Sequence, residues 1–223
     1  MKKGLFFEAI LKFLLGTVLV GVLIFLPAGS IVFLRGWILM GVLFIPMLIA
    51  GIVMIVKSPT LLEKRLKSRE ERGKQKGVIA ISALMFLAGF VISGLNFRFS
   101  WHSLPDWITY VATGVFLVSY IFYAEVLREN EYLLRTIEVS TEQRVIDSGL
   151  YGIVRHPMYA TTIPLFLSMP LILGSWLGFL VFLIYPVVIV IRIIDEEKLL
   201  EAELEGYREY KEKVRYRLIP FIW

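Results

Sequence analysis

The chain is a succession of long apolar stretches separated by short basic connections, and that alternation restricts it to a membrane architecture. Six stretches can be read, at about 10–34, 37–56, 77–95, 107–127, 158–175 and 176–194. Each is close to a bilayer's hydrocarbon thickness when helical. In lipid every backbone amide must find its partner inside the protein, so such stretches become helices. Pro27, Pro46, Pro164, Pro170 and Pro186 interrupt them, which membrane helices tolerate when neighbours satisfy the freed carbonyls. The fifth stretch is short and joins the sixth through Gly174-Ser175-Trp176. These two read as a tight helical hairpin that need not cross fully by itself. The first stretch is as long as a bilayer is thick and a second follows closely, so it is expected to be a span and not a cleavable signal peptide. The expected fold is therefore all-α and integral to the membrane, with about six transmembrane helices.

The connections give the orientation. The segment Lys57–Lys76 holds eight Lys/Arg against three Glu. Lys2 and Lys3 precede the first span, and Arg128, Arg135, Arg144 and Arg155 follow the fourth. The tail adds Lys198, Arg208, Lys211, Lys213, Arg215 and Arg217, whereas the alternate connections offer only Arg35 and Arg98. Six spans place every basic segment on one face, and the positive-inside rule makes that face, with both termini, cytoplasmic.

Composition excludes other classes. With 57% hydrophobic residues and a mean hydropathy of +0.73, this is no ordinary soluble domain. The net charge of +5 lies in loops, where it serves topology and anionic headgroups, with no nucleic-acid partner expected. The absence of cysteine removes disulfides, thiolate nucleophiles and Cys-zinc sites. Only His102 and His156 supply imidazole, too far apart for a spaced ligand pair, so no metal is expected. Spans one to four carry almost no ionisable groups apart from Lys12 and Glu125, and no repeat relates the two halves, which argues against an ion-coupled transporter. They read as scaffold over residues 1–127.

Chemistry concentrates in residues 128–223. Pro157 suits the first turn of a helix, because it lacks an N–H and has a fixed φ. Arg155 and His156 then sit at that helix's mouth, where free N–H groups and the dipole favour an anion. The plainer alternative is an interfacial anchor, since Arg, His and Tyr are common at bilayer edges. Arg192 lies inside the end of the sixth span, four residues before Glu196 and on the same helical face. This is either a snorkelling Arg with a local ion pair or a pair facing a watery cavity, as charges at membrane depth usually do. Glu197 falls on another side of the helix and is expected to be solvated. The tail from Leu199 reads as an amphipathic helix anchored among headgroups, followed by an extended end. Ile137–Ser148 is placed to fold back over a ligand held at His156. A helix mouth for a carboxylate and Glu196 for an ammonium or hydroxyls are complementary to an amino-acid-like or nucleoside-like cofactor. A lipid substrate would enter from the bilayer.

Val145-Ile146-x-x-Gly149-x-Tyr151-x-x-x-Arg155-His156-Pro157-x-Tyr159 is followed by Arg192-x-x-x-Glu196-Glu197-x-x-Leu200, Gly206-Tyr207-x-x-Tyr210 and Arg217-x-x-Pro220. On these blocks the chain resembles the isoprenylcysteine carboxyl methyltransferase family, a branch of the wider membrane phospholipid methyltransferase group. The resemblance covers roughly residues 137–223, and the first four spans share only general hydropathy. It implies S-adenosyl-L-methionine as cofactor, bound on the cytosolic side between the last two spans and the tail. His156, Pro157, Met158 and Tyr159 would line the cofactor, with Tyr151 beside them. Gln143, Arg144, Val145 and Ile146 would close over it through backbone atoms, and Glu196 would hold its polar end. Arg192 would face the acceptor and orient a carboxylate for in-line attack, so that Arg192 and Glu196 carry the catalytic roles. Gln143-Arg144 departs from the His-x-Leu-Val of many relatives.

Members of the group methylate prenylated cysteine, phosphatidylethanolamine and small thiols. The expected acceptor is lipophilic, an isoprenylcysteine-like carboxylate being favoured, with membrane lipids as the surrounding partners. The fold is shared with NADPH-dependent membrane sterol reductases, which form the alternative, and a non-enzymatic membrane protein is the third reading.

Overall fold

The computed structural model describes residues 3–57, 59, 62–63, 66, 73–130, 132 and 143–223. Among them helices carry the fold, with a single isolated β-bridge between Ser103 and Ser175. Four long helices come first: α1 (Lys3–Ala28), α2 (Leu34–Lys57), α3 (Gly73–Phe99) and α4 (Asp106–Glu129). A 3₁₀ turn (Gly149–Gly152) precedes α5 (Pro157–Ile172), α6 (Trp176–Phe182), α7 (Ile184–Glu203) and α8 (Tyr207–Lys213). Five segments are long and apolar enough to cross a bilayer: Gly4–Ala28, Leu34–Lys57, Gln75–Phe99, Asp106–Glu129 and Trp176–Glu203. Pro157–Ile172 is apolar but shorter. The chain is an integral, multi-pass membrane protein, and its last two apolar segments form the expected hairpin.

Two boundaries differ from the sequence expectation. The first span ends at Ala28, not near residue 34, because Gly29 adopts φ +64 and its N–H turns back to the Leu26 carbonyl at 3.1 Å. Glycine reaches this left-handed conformation without a Cβ penalty, so it stops the helix there. The sixth span is broken at Leu183 into α6 and α7. Pro186 has no N–H to donate to Phe182, four residues back, and its ring crowds that carbonyl.

Helix α3 crosses both α1 and α6 closely because the contact points are small. A Cβ on Gly94 would run into the Ile24 carbonyl and the Ala28 amide of α1. One on Gly89 would meet the Phe182 ring, and one on Gly178 would meet the Ser93 hydroxyl. Without a hydrophobic drive between helices in lipid, such close packing is what holds them together. The Phe86 ring then meets Phe166 and Phe182 edge-on, at centroid distances of 4.9 and 5.2 Å. Helix α4 packs along α5, where the Thr109 hydroxyl donates to the Ile172 carbonyl at 3.2 Å and satisfies a free carbonyl at the C-terminus of α5. Leu14, Leu15, Val18, Leu19, Val118 and Ile121 point outward and exposed, as lipid-facing residues do.

At one end of the bundle the Arg35 guanidinium donates to the Leu104 carbonyl (2.8 Å) and to Asp106 (2.5 Å), while the Leu104 amide donates to Gly174 O (3.0 Å). These contacts tie the hairpin turn to α2 and α4. The other end carries the last turn of α4, the start of α5, the end of α7 and the tail, and it gathers the chemistry.

Candidate active site

Helix α5 begins where the sequence places it, with Pro157 at its first position and His156 as N-cap. Its mouth, however, is crossed by the tail. The Arg155 amide donates to Tyr216 O at 2.8 Å and the His156 amide to Arg217 O at 3.0 Å. The Arg155 side chain donates from Nε to Glu197 (2.8 Å) and from Nη1 to the Val214 and Arg215 carbonyls (2.8 Å each). Arg217 Nε donates to the second Glu197 oxygen at 2.9 Å, and His156 Nε2 lies 3.3 Å from the first. Glu197, expected to be solvated, is instead 3% exposed and is the hub of a buried ionic cluster. The anion at the Arg155 guanidinium is thus the protein's own, and Arg155 fastens the tail.

Beside this cluster lies a pocket of about 810 Å³, part of it open to solvent. One stripe of α7, continued by its C-cap Leu204, forms a wall: Arg192, Glu196, Leu200 and Leu204, each four residues after the last. That spacing keeps them on one face, and a rise of about 1.5 Å per residue spreads them over roughly 18 Å. The wall grades from charged to apolar. At its charged end Tyr159 bridges the pair, with Arg192 Nε donating to the Tyr159 hydroxyl at 2.8 Å and that hydroxyl donating to Glu196 at 2.5 Å. His156 stacks near the Tyr159 ring, at 5.8 Å and 28°, and its Nδ1 lies 3.9 Å from Glu196. Arg192 and Glu196 therefore share a face as their spacing requires, joined through a third residue.

The facing wall comes from the loop before α5. Gln143, Arg144, Val145 and Ile146 line the pocket, as do Tyr151, His156, Met158 and Tyr159. Lys213 holds this loop through Asp147 at 2.5 Å, and that ion-paired hydrogen bond lowers the Asp147 carboxyl below its ordinary range. Asn130 donates to the Tyr151 hydroxyl at 2.9 Å, and Tyr210 donates to Tyr151 O at 2.8 Å. The turn at Gly149 has φ +52 and lies against the Glu129 carboxylate, which accepts from the Leu150 amide at 3.0 Å. No side chain fits there.

Every cofactor-lining residue expected from the sequence borders this pocket except Pro157, which is buried as the first residue of α5. Of the segment Ile137–Ser148, residues 137–142 lie outside those described; its second half does cover the pocket. The tail is not one amphipathic helix. Leu199–Glu203 continues α7, and the seven-residue α8 packs Tyr207 and Tyr210 onto the pocket. Leu204, Tyr207 and Tyr210 are the lining residues that the anchor reading missed. Extending the four-residue series from Arg192 through Glu196 and Leu200 would have reached Leu204. Burial pushes the Tyr151, Tyr207 and Tyr210 hydroxyls well above the ordinary tyrosine range, so all three stay protonated at neutral pH. Tyr207 is 4% exposed, and its hydroxyl has no hydrogen-bond partner among the described residues. Among the described residues no group of three or more His, Cys, Asp or Glu could hold a metal ion.

Delta(14)-sterol reductase TM7SF2 of Mus musculus is 32% identical over 93 residues, which make up 40% of this chain and 22% of that protein. The chain therefore spans only about a fifth of that relative's length. The solved structure of a eukaryotic intramembrane Ras methyltransferase, the isoprenylcysteine carboxyl methyltransferase, aligns at 20% identity with a TM-score of 0.48, covering 85% of this chain and 74% of that one. The phospholipid methyltransferase family profile matches residues 107–205. That stretch contains most of α4, the loop wall, the hairpin and the α7 stripe, so the similarity to the phospholipid methyltransferase family falls on the residues that build the pocket.

Proposed function

We propose that the protein is an S-adenosyl-L-methionine-dependent methyltransferase acting on a lipophilic acceptor, with an isoprenylcysteine-like carboxylate favoured. The observation that carries this reading is the graded α7 wall, Arg192-Glu196-Leu200-Leu204, facing Tyr151, His156 and the 143–146 loop. The residues fit the cofactor's chemistry. Glu196 suits an ammonium or ribose hydroxyls, the His156 side offers polar contacts, and Leu200, Leu204 and the tyrosines suit a planar base. When bound, S-adenosylmethionine supplies an electrophilic methyl group on a sulfonium. The chain then needs to align the acceptor and keep the site dry. Arg192 orients an anionic acceptor, and Tyr159 holds Arg192 and Glu196 in register. A carboxylate acceptor needs no general base. By the positive-inside rule the pocket opens to the cytoplasm, with the acceptor arriving from the bilayer.

The match to a sterol reductase favours an NADPH-dependent reductase as the second reading. Incubating the purified protein with methyl-labelled S-adenosylmethionine and native membranes separates the two. Label is expected in the organic extract, and mild alkali should release it as methanol, as it does from a methyl ester. Alkali-stable label would assign an amine or thiol acceptor. No transfer, with NADPH oxidised by the same membranes only when the protein is present, would establish the reductase.

A further inference from the structure

Tyr207 borders the pocket, and its hydroxyl is buried and has no hydrogen-bond partner among the described residues. Hydroxyls excluded from water ordinarily find a partner, because burying one without compensation is unfavourable. Tyr207 packs among Leu204, Tyr210, Val214 and the partly buried Leu200 and Val145. Among these neighbours the Tyr210 hydroxyl is committed to Tyr151 O at 2.8 Å. Gly206, at φ +81, starts α8 in the left-handed conformation that glycine adopts most readily, and so fixes the direction in which Tyr207 leaves the chain. A phenylalanine would make the same packing contacts without the unpaired group.

We infer that Tyr207 is a ligand-binding residue whose hydrogen-bond partner is the nucleoside part of the bound cofactor, at a ribose hydroxyl or the edge of the base. This rests on the methyltransferase reading above. The place along the pocket follows from the α7 stripe: Arg192 and Glu196 mark the charged end, where the methyl group is transferred, whereas Leu200 and Leu204, beside Tyr207, mark the apolar end. A planar base packs on that apolar end, and its polar edge or its sugar then meets the Tyr207 hydroxyl.

The test is Tyr207→Phe in the detergent-purified full chain, read by calorimetric titration with S-adenosylhomocysteine and by thermal unfolding without ligand. Affinity is expected to fall about 3- to 10-fold, the worth of one hydrogen bond. Thermal stability should stay level or rise, because the substitution removes an unpaired buried group. A hydroxyl with a structural task would give the opposite pair, lower stability with unchanged affinity, and that result overturns the inference. Sinefungin differs from S-adenosylhomocysteine at the sulfur and keeps the nucleoside, so its affinity should fall by the same factor. A loss confined to one of the two ligands would place Tyr207 at the reacting end and overturn the nucleoside assignment. If the wild-type protein binds neither ligand, the methyltransferase reading fails and the assignment falls with it. If the wild type binds and Tyr207→Phe binds equally, only the Tyr207 assignment is lost.

Discussion

Replacing Glu197 by Ala is expected to destabilise the protein by about 3–5 kcal/mol, the usual effect of removing one partner from a buried ion pair. Glu197 receives Arg155 at 2.8 Å, Arg217 at 2.9 Å and the His156 ring at 3.3 Å, and the Arg155 side chain is itself only 5% exposed. Without the carboxylate, the buried Arg155 guanidinium is left beside the half-buried Arg217, keeping its carbonyl partners. For a chain of this size the apparent unfolding midpoint should drop by roughly 10 °C, measured by intrinsic tryptophan fluorescence in detergent. The tail should become the first site of limited proteolysis, since the cluster fastens residues 214–217 to the mouth of α5. Membrane insertion should be unaffected. An unchanged midpoint would mean that the tail is held by its backbone pairing alone.

Arg192→Ala is expected to lower turnover by on the order of 100-fold or more, because an aligned acceptor and a positive charge at the reacting end are both lost. The affinity for S-adenosylhomocysteine should change little, since the Tyr159 hydroxyl keeps its 2.5 Å bond to Glu196 without Arg192. Glu196→Gln should behave conversely, with cofactor affinity falling and turnover at saturation less affected. Calorimetry beside a methyl-transfer assay separates the two. A large loss of affinity in Arg192→Ala would exchange the roles assigned to these residues.

How far such residues can be read from sequence depends on where their partners lie. Apolar run length and basic connections located the spans, because lipid leaves the backbone few choices. Arg192 and Glu196 are local to one helix, so periodicity alone placed both on one wall of the pocket. Pro157 likewise announced the start of α5. Glu197 was misjudged because its partners Arg155 and His156 lie 42 and 41 residues away in the chain, and no periodicity connects them. Tyr207 and Tyr210 looked like interfacial aromatics for the same reason, since only the docking of α8 onto the loop at Val145 and Tyr151 turns them inward. The Tyr159 bridge between Arg192 and Glu196 depends on how α5 faces α7, which no single-helix pattern reports. The end of α1 was a different kind of miss: Gly29 could be seen, but the hydrophobic run continued past it.

The most direct test is calorimetric titration of the detergent-purified protein with S-adenosylhomocysteine, with NADPH as the parallel ligand and His156→Ala as the control variant. Saturable binding of S-adenosylhomocysteine at one site per chain, abolished in His156→Ala and absent for NADPH, is the expected result. Binding of NADPH alone, or of neither ligand by protein whose thermal transition shows it to be folded, would contradict the proposal that this pocket is a methyl-donor site.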